Sequence, residues 1–208
     1  MQRIALAAFL LAGCPAWLAA ADTATPRKTA ELAFHLPGQG EKLLSQLRGK
    51  VVGLEFILTT CQHCQAASRV MSNYQQQYGS RGFQALDLAI NGLDEGRTPA
   101  QADALADGFA KEFQVAFPVG WVSRDQMLEF VGFSVAERFV VPQFVLIDRK
   151  GFIRYQTPPV GDAAYENAMK DETVRQRIEE LLSESGSTAS PRHSSAAAKT
   201  GSVRPQAR

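Results

Sequence analysis

Short apolar runs alternate with amphipathic segments along the middle of the chain. Residues 51–58 form an apolar, β-branched run that predicts a buried strand, and residues 83–90 predict a second strand. Between them, residues 61–78 predict a helix that ends at Gly79. This strand–helix–strand order is typical of α/β proteins.

A helix start with a complete capping signal follows the second strand. Thr98 as N-cap, Pro99 in the first turn and Gln101 in a capping box predict a helix over residues 99–113. The apolar residues at four-residue spacing are predicted to form its inward face, namely Leu105, Phe109 and Phe113.

The remaining elements complete a layered α/β arrangement. Ser123 and Gln126 predict a short helix that ends at Gly132. Further strands are predicted over residues 117–119, 139–147 and 152–156, and a last helix over residues 162–183. We therefore expect the α/β class, with a central mixed β-sheet flanked by helices.

The two ends of the chain differ from this body. Residues 1–21 are typical of an export signal, with Arg3 ahead of an apolar run and small residues at the end. Cys14 gives an alternative, because the residues around it resemble a bacterial lipobox, in which it would carry a lipid anchor. Residues 185–208 are rich in Ser and Ala, carry four basic residues and no acid, and are predicted to be disordered. The folded domain is expected to span residues 22–184, in the periplasm or elsewhere outside the cytoplasm.

Composition narrows the classes of function. A length of 208 residues suits one domain, and a net charge of +1 gives no global argument for nucleic-acid binding. Three cysteines are too few for a disulfide-stapled scaffold or a four-thiolate zinc site. We expect no cofactor and no partnership with nucleic acid.

The candidate chemistry lies in the sequence Cys61-Gln62-His63-Cys64, directly after the first predicted strand. Two cysteines three residues apart lie on the same side of a helix's first turn. Cys61 would sit at the helix N-terminus, where free N–H groups and the helix dipole lower a thiol pKa, so we expect it to be the nucleophile. His63 would add a second cation that tunes this pKa, and Cys64 would be the resolving thiol.

Two other roles for the dithiol remain open. It can be a structural disulfide in an exported protein, or half of a metal site. Zinc would need two more ligands, and His35 and His193 show no paired spacing. A copper site that uses both thiols and His35 is the remaining metal alternative. The strand–dithiol–helix order favours redox activity and no metal.

Glu55 is an acid inside the apolar run of the first strand. A buried carboxylate is costly, so it must be paired, protonated or functional. Lying six residues before Cys61, it could face the dithiol and take a proton from Cys64. The alternative is that it lies at the strand edge and pairs with Lys50 or another cation.

Pro142 interrupts another strand-like run. It cannot donate a ladder hydrogen bond, so it marks a sheet edge, a bulge or a cis turn, and by base rate a trans peptide bond is expected.

These features together resemble the thioredoxin superfamily, and most closely the exported TlpA/ResA-like thiol–disulfide oxidoreductases. The resemblance extends over residues 34–155. It is carried by residues 44–52, by the Cys61–Cys64 motif, by residues 117–119, and by residues 141–148 with the following Gly151.

The resemblance implies a thioredoxin-like sandwich in which residues 91–116 are an inserted segment. It also implies that Pro142 is cis beside the dithiol, that the backbone of Val141 pairs with substrate, and that Glu55 is the buried proton acceptor. The substrates would be protein or small-molecule disulfides. A redox partner, membrane-bound in one alternative, would supply electrons, and we expect a monomer.

The sequence departs from this family at two places. Thr60 stands where the family usually has Trp. Thr60 would contribute to the substrate-docking surface, so the loss of the aromatic ring alters that surface. His63 resembles the residue before the second cysteine in the oxidant DsbA, so the direction of electron flow stays open. A redoxin-type peroxidase is disfavoured, because Leu58 and Leu54 stand where that motif requires Thr and Pro.

Overall fold

The computed structural model describes residues 25–184, so the predicted export signal, Cys14 and the basic tail lie outside the described residues. The strands are β1 (Arg27–Lys28), β2 (Ala33–Leu36), β3 (Gly40–Leu43), β4 (Val51–Ile57), β5 (Phe83–Ala89), β6 (Val119–Trp121), β7 (Gln143–Ile147) and β8 (Phe152–Gln156). The α-helices are α1 (Gln62–Tyr78), α2 (Pro99–Glu112), α3 (Arg124–Val131), α4 (Ala163–Ala168) and α5 (Asp171–Ser183).

The strands within the described residues form one mixed sheet in the order β1-β8-β7-β4-β5-β6-β2-β3. β5 pairs in parallel with β4 and β6, and the other pairs are antiparallel. β4 therefore lies near the centre of the sheet, between β5 and β7. The predicted α/β fold, a central mixed sheet flanked by helices, is confirmed.

The side chains of β4 alternate between two apolar layers, as they must in a strand. Val52, Leu54 and Phe56 belong to the layer that α3 covers. Val51 and Ile57 belong to the clusters that include residues of α1. Glu55 has the same parity as these two residues, so it faces the dithiol helix.

Two predicted strands begin later than expected because each is preceded by a proline. The strand predicted over residues 117–119 is instead Val119–Trp121, and the one predicted from residue 139 begins at Gln143. Pro118 and Pro142 have no N–H group to donate to a ladder, so regular pairing begins after each of them.

The single helix predicted over residues 162–183 is wrong. The backbone of Lys170 is extended, with φ −60° and ψ 137°, and separates α4 from α5. Each helix has its own start: the Asp162 side chain accepts from two backbone N–H groups of α4, and acids occupy the first turn of α5. This break matters because α4 carries Tyr165.

The inward face predicted for α2 is only partly right. The buried residues are Ala102, Ala106 and Phe109, whereas Leu105 and Phe113 are half-buried. The alanines let the helix approach the sheet closely.

The sheet edge formed by β2 and β3 was not among the predicted elements, although Leu32, Phe34 and Leu36 are buried at alternate positions, as expected for a strand.

Candidate active site

Cys61 and Cys64 lie at the start of α1, as predicted. Cys61 is the N-cap, and its N–H donates to the Leu58 carbonyl at 3.0 Å, which forms the turn between β4 and the helix. Cys61 is half-buried, whereas the side chain of Cys64 is buried, and both thiols are free. A substrate can therefore reach Cys61 but not Cys64.

The Val141–Pro142 segment lies against the first cysteine. The peptide bond between these residues is cis, as the resemblance implied. Cys61 Sγ is 4.0 Å from the carbonyl oxygen of Val141. The structure thus brings together residues that are 80 positions apart in the chain.

Two residues that sequence reasoning missed hold this segment in place. The Tyr165 hydroxyl donates to the Pro142 carbonyl at 2.7 Å. The buried Gln143 side chain donates to the Val140 carbonyl at 2.8 Å and accepts from the Thr157 hydroxyl at 2.8 Å. Polar side chains in a predicted core strand or helix were the available signal, but nothing local in the sequence indicates their partners.

Glu55 lies within the sheet and not at its edge. It is 2 % exposed and its strand pairs on both sides, so the alternative of an ion pair with Lys50 is wrong. The Lys50 amine donates instead to the Gln84 side chain at 3.0 Å. Burial and the neighbouring Asp87 raise the pKa of Glu55 well above its usual range.

Asp87 is a second buried acid that sequence reasoning missed. It is the register partner of Glu55 on β5, and its Oδ2 accepts a hydrogen bond of 2.6 Å from the Ser68 hydroxyl of α1. Burial raises the pKa of Asp87 to about 7, although the Ser68 hydrogen bond opposes the shift. The apolar neighbours of Asp87 in the sequence were a signal for it.

The electrostatic surroundings of Cys64 keep it protonated. Burial raises the pKa of its thiol far above the usual range, and Cys61 and Glu55 add to the shift. Cys64 therefore has to lose its proton to a nearby base before it can attack a disulfide.

Two open grooves are lined by residues that neighbour the two cysteines. One, of about 550 Å³, is lined by His63, Val141, Pro142 and Tyr165 among others. The other, of about 260 Å³, lies between Thr60 and α2. His63 and Thr60 are both exposed. The structure therefore places His63 and Thr60 each at a groove next to the Cys61–Cys64 motif.

His35 does not join the dithiol. Its ring stacks on Trp121 with centroids 4.3 Å apart, and its Nε2 lies 3.9 Å from a Glu41 carboxylate oxygen. Among residues 25–184, no three His, Cys, Asp or Glu side chains are grouped so that they could hold a metal ion. In the same part of the chain, no helix is long and apolar enough to cross a membrane.

The fold is similar to those of several solved thiol–disulfide exchange proteins. A thiol:disulfide interchange protein named DsbE, from Chlorobium tepidum, matches with a TM-score of 0.56 and 25% identity, over 76% of this chain and 96% of that protein's chain. A thioredoxin-family thiol:disulfide interchange protein from Chlorobium tepidum TLS matches with a TM-score of 0.57 and 17% identity, over 76% and 98%. The thioredoxin domain of a thiol-disulfide oxidoreductase from Bacteroides vulgatus matches with a TM-score of 0.55 and 17% identity, over 74% and 98%.

No protein-family model matches the sequence, and no curated protein matches it significantly. The structural likeness nevertheless coincides with a dithiol at the start of a helix, a cis proline beside it and a buried acid beneath it. The chain therefore has a thioredoxin-like fold, and it resembles the thiol:disulfide interchange proteins that share this fold.

Proposed function

We propose that this protein is a thiol–disulfide oxidoreductase that acts outside the cytoplasm on disulfide-containing substrates. The observation that carries the proposal is the asymmetry of the dithiol: Cys61 can be reached from solvent, whereas Cys64 is buried. The export signal predicted at residues 1–21 supports the location.

The first step joins Cys61 to the substrate. The Cys61 thiolate attacks one sulfur of the substrate disulfide, that S–S bond breaks, and the other substrate sulfur leaves as a thiolate. A mixed disulfide between Cys61 and the substrate remains. The Val141 backbone and the grooves at His63 and Thr60 are the surfaces that would position the substrate.

The second step closes the protein disulfide. Cys64 gives its proton to the Glu55 site and attacks Cys61 Sγ, and the mixed disulfide breaks as the second substrate sulfur leaves. The substrate gains two electrons and the protein is left with a Cys61–Cys64 disulfide. A dithiol partner reduces the protein again, and every step can run in reverse.

Replacement of each cysteine tests the proposal. We expect Cys61→Ser to abolish insulin reduction by the purified protein. Cys64→Ser should instead accumulate mixed disulfides, because Cys61 can still attack but nothing resolves the product. Wild-type activity in the Cys61→Ser variant would contradict the proposal.

A further inference from the structure

Two buried carboxyls face each other beneath the dithiol. Glu55 and Asp87 are register partners on the parallel strands β4 and β5, and they are 2 % and 0 % exposed. Each has one buried oxygen without a hydrogen-bond partner, Glu55 Oε2 and Asp87 Oδ1. None of the groups that shift the pKa of either acid is basic.

This arrangement has a simple electrostatic consequence. Two carboxylates in direct contact in a buried site cannot both ionise at neutral pH, because their charges repel and neither is solvated. One proton shared by the pair removes this repulsion and lets one carboxyl donate a hydrogen bond to the other. The pair then carries a single negative charge, which the Ser68 hydroxyl stabilises through Asp87 Oδ2.

The second carboxyl solves a problem that Glu55 has alone. A lone glutamic acid with a strongly raised pKa keeps its proton at neutral pH, and a protonated carboxyl cannot accept another. Asp87 supplies the missing acceptor, since the singly ionised pair has room for one more proton.

We propose that Asp87 is a positioning residue for dithiol exchange, forming with Glu55 a two-carboxyl pair that keeps one negative charge available to receive the proton of Cys64. The inference rests on the proposed function and extends it. As Cys64 attacks Cys61 Sγ, its proton passes to the pair, which becomes neutral. The pair returns the proton to solvent after the leaving sulfur has departed.

Ser68 couples the pair to the dithiol helix. Its hydroxyl lies 2.6 Å from Asp87 Oδ2 and 3.0 Å from the carbonyl oxygen of Cys64. A hydroxyl has one proton, so it donates to Asp87 when that acid is ionised and is free to donate to the Cys64 carbonyl when Asp87 is protonated.

The other titratable groups around the pair do not replace it. Tyr74 of α1 and Tyr165 of α4 have raised pKa values, because of burial first, and stay protonated near neutral pH. Asp171, at the far side of a cavity of about 200 Å³ that reaches Glu55, accepts from the Tyr74 hydroxyl, and its pKa is lowered. That cavity, which Glu55 and Asp171 both line, is the route by which we infer that the proton reaches solvent.

The test isolates the resolving step. Cys61 of the full-length protein is loaded with an aromatic thiol as a mixed disulfide at low pH, and release of that thiol is followed by stopped flow after jumps to pH values between about 5 and 9. Wild type, Asp87→Asn and Glu55→Gln are compared. Asp107→Asn, on the surface of α2, is the matched acid-to-amide control.

We expect Asp87→Asn to slow release about tenfold at pH 7 and to shift the inflection of the rate profile, because Glu55 alone remains and no longer faces the Asp87 carboxyl, which raises its pKa. Glu55→Gln should slow release across the range, and Asp107→Asn should match wild type. An Asp87→Asn profile that coincides with wild type, or is faster at pH 7, would overturn the inference while leaving the function intact. A wild-type protein that releases no thiol at any pH would instead refute the proposed function.

Discussion

Asp87 should make the stability of the fold depend on pH. Its pKa is raised from 3.8 to about 7 by burial, and a rise of about three pH units corresponds to about 4 kcal/mol at 1.36 kcal/mol per unit. When folding raises the pKa of a carboxyl, the contribution of that carboxyl to the stability of the folded state is complete only at pH values below its unfolded pKa. That contribution is lost as the pH rises from about 4 through about 7. Wild-type stability should therefore fall across this window.

Asp87→Asn removes the ionisation and keeps an oxygen that can accept from Ser68. At pH 8 the variant avoids the full cost of a buried charge, whereas at pH 5 the wild-type acid is already mostly protonated when folded. We therefore expect the stabilisation by Asp87→Asn to be greater at pH 8 than at pH 5 by about 2 to 3 kcal/mol.

Urea unfolding at the two pH values measures this difference. Asp107→Asn serves as the surface control, and its effect should stay within about 0.5 kcal/mol at both pH values. The reasoning about the carboxyl pair would be refuted if Asp87→Asn changed the free energy of unfolding equally at pH 5 and pH 8, or destabilised the protein more at pH 8.

Two further predictions concern packing and hydrogen bonding. A Cβ on Gly53 would lie 2.7 Å from Cζ of Phe83, so Gly53→Ala should lower the free energy of unfolding by about 1–3 kcal/mol. Gly108→Ala, in α2 with no atom within 4 Å of the added Cβ, should raise it by about 0.5–1 kcal/mol; equal effects in urea unfolding would contradict the packing. Tyr165→Phe removes the hydrogen bond to the Pro142 carbonyl. It should lower the free energy of unfolding by about 1–3 kcal/mol and also reduce insulin-reductase activity. Tyr155→Phe removes a similar bond to the Ala168 carbonyl, away from the dithiol, and should reduce stability only; unchanged activity in Tyr165→Phe would argue against a role for this contact.

Most elements of the fold could be predicted from local patterns in the sequence. The capping boxes at Thr98 and Ser123 and the left-handed Gly132 lie where the sequence predicted them, because each depends on neighbours within a few residues. The start of α1 at Cys61 was predictable for the same reason.

The parts of the site that were missed depend on long-range geometry. Asp87 meets Glu55 only through the register of β4 with β5, and Tyr165 reaches Pro142 only because α4 is a separate helix. The sequence shows that Glu55 is a buried acid, but it does not show what faces it. The residues of the site that were predicted are therefore those with a local pattern, whereas their partners depend on strand register and on the position of α4.

The central claim is that Cys61 and Cys64 form one reversible two-electron couple. Equilibration of the full-length protein in glutathione buffers of graded potential, followed by acid quench, alkylation and mass spectrometry, measures this directly. We predict a single transition in which both thiols are lost together, with a tenfold change in the ratio of oxidised to reduced protein for about every 30 mV. Two thiols that stay alkylatable across the whole range, or that oxidise independently of each other, would contradict the account.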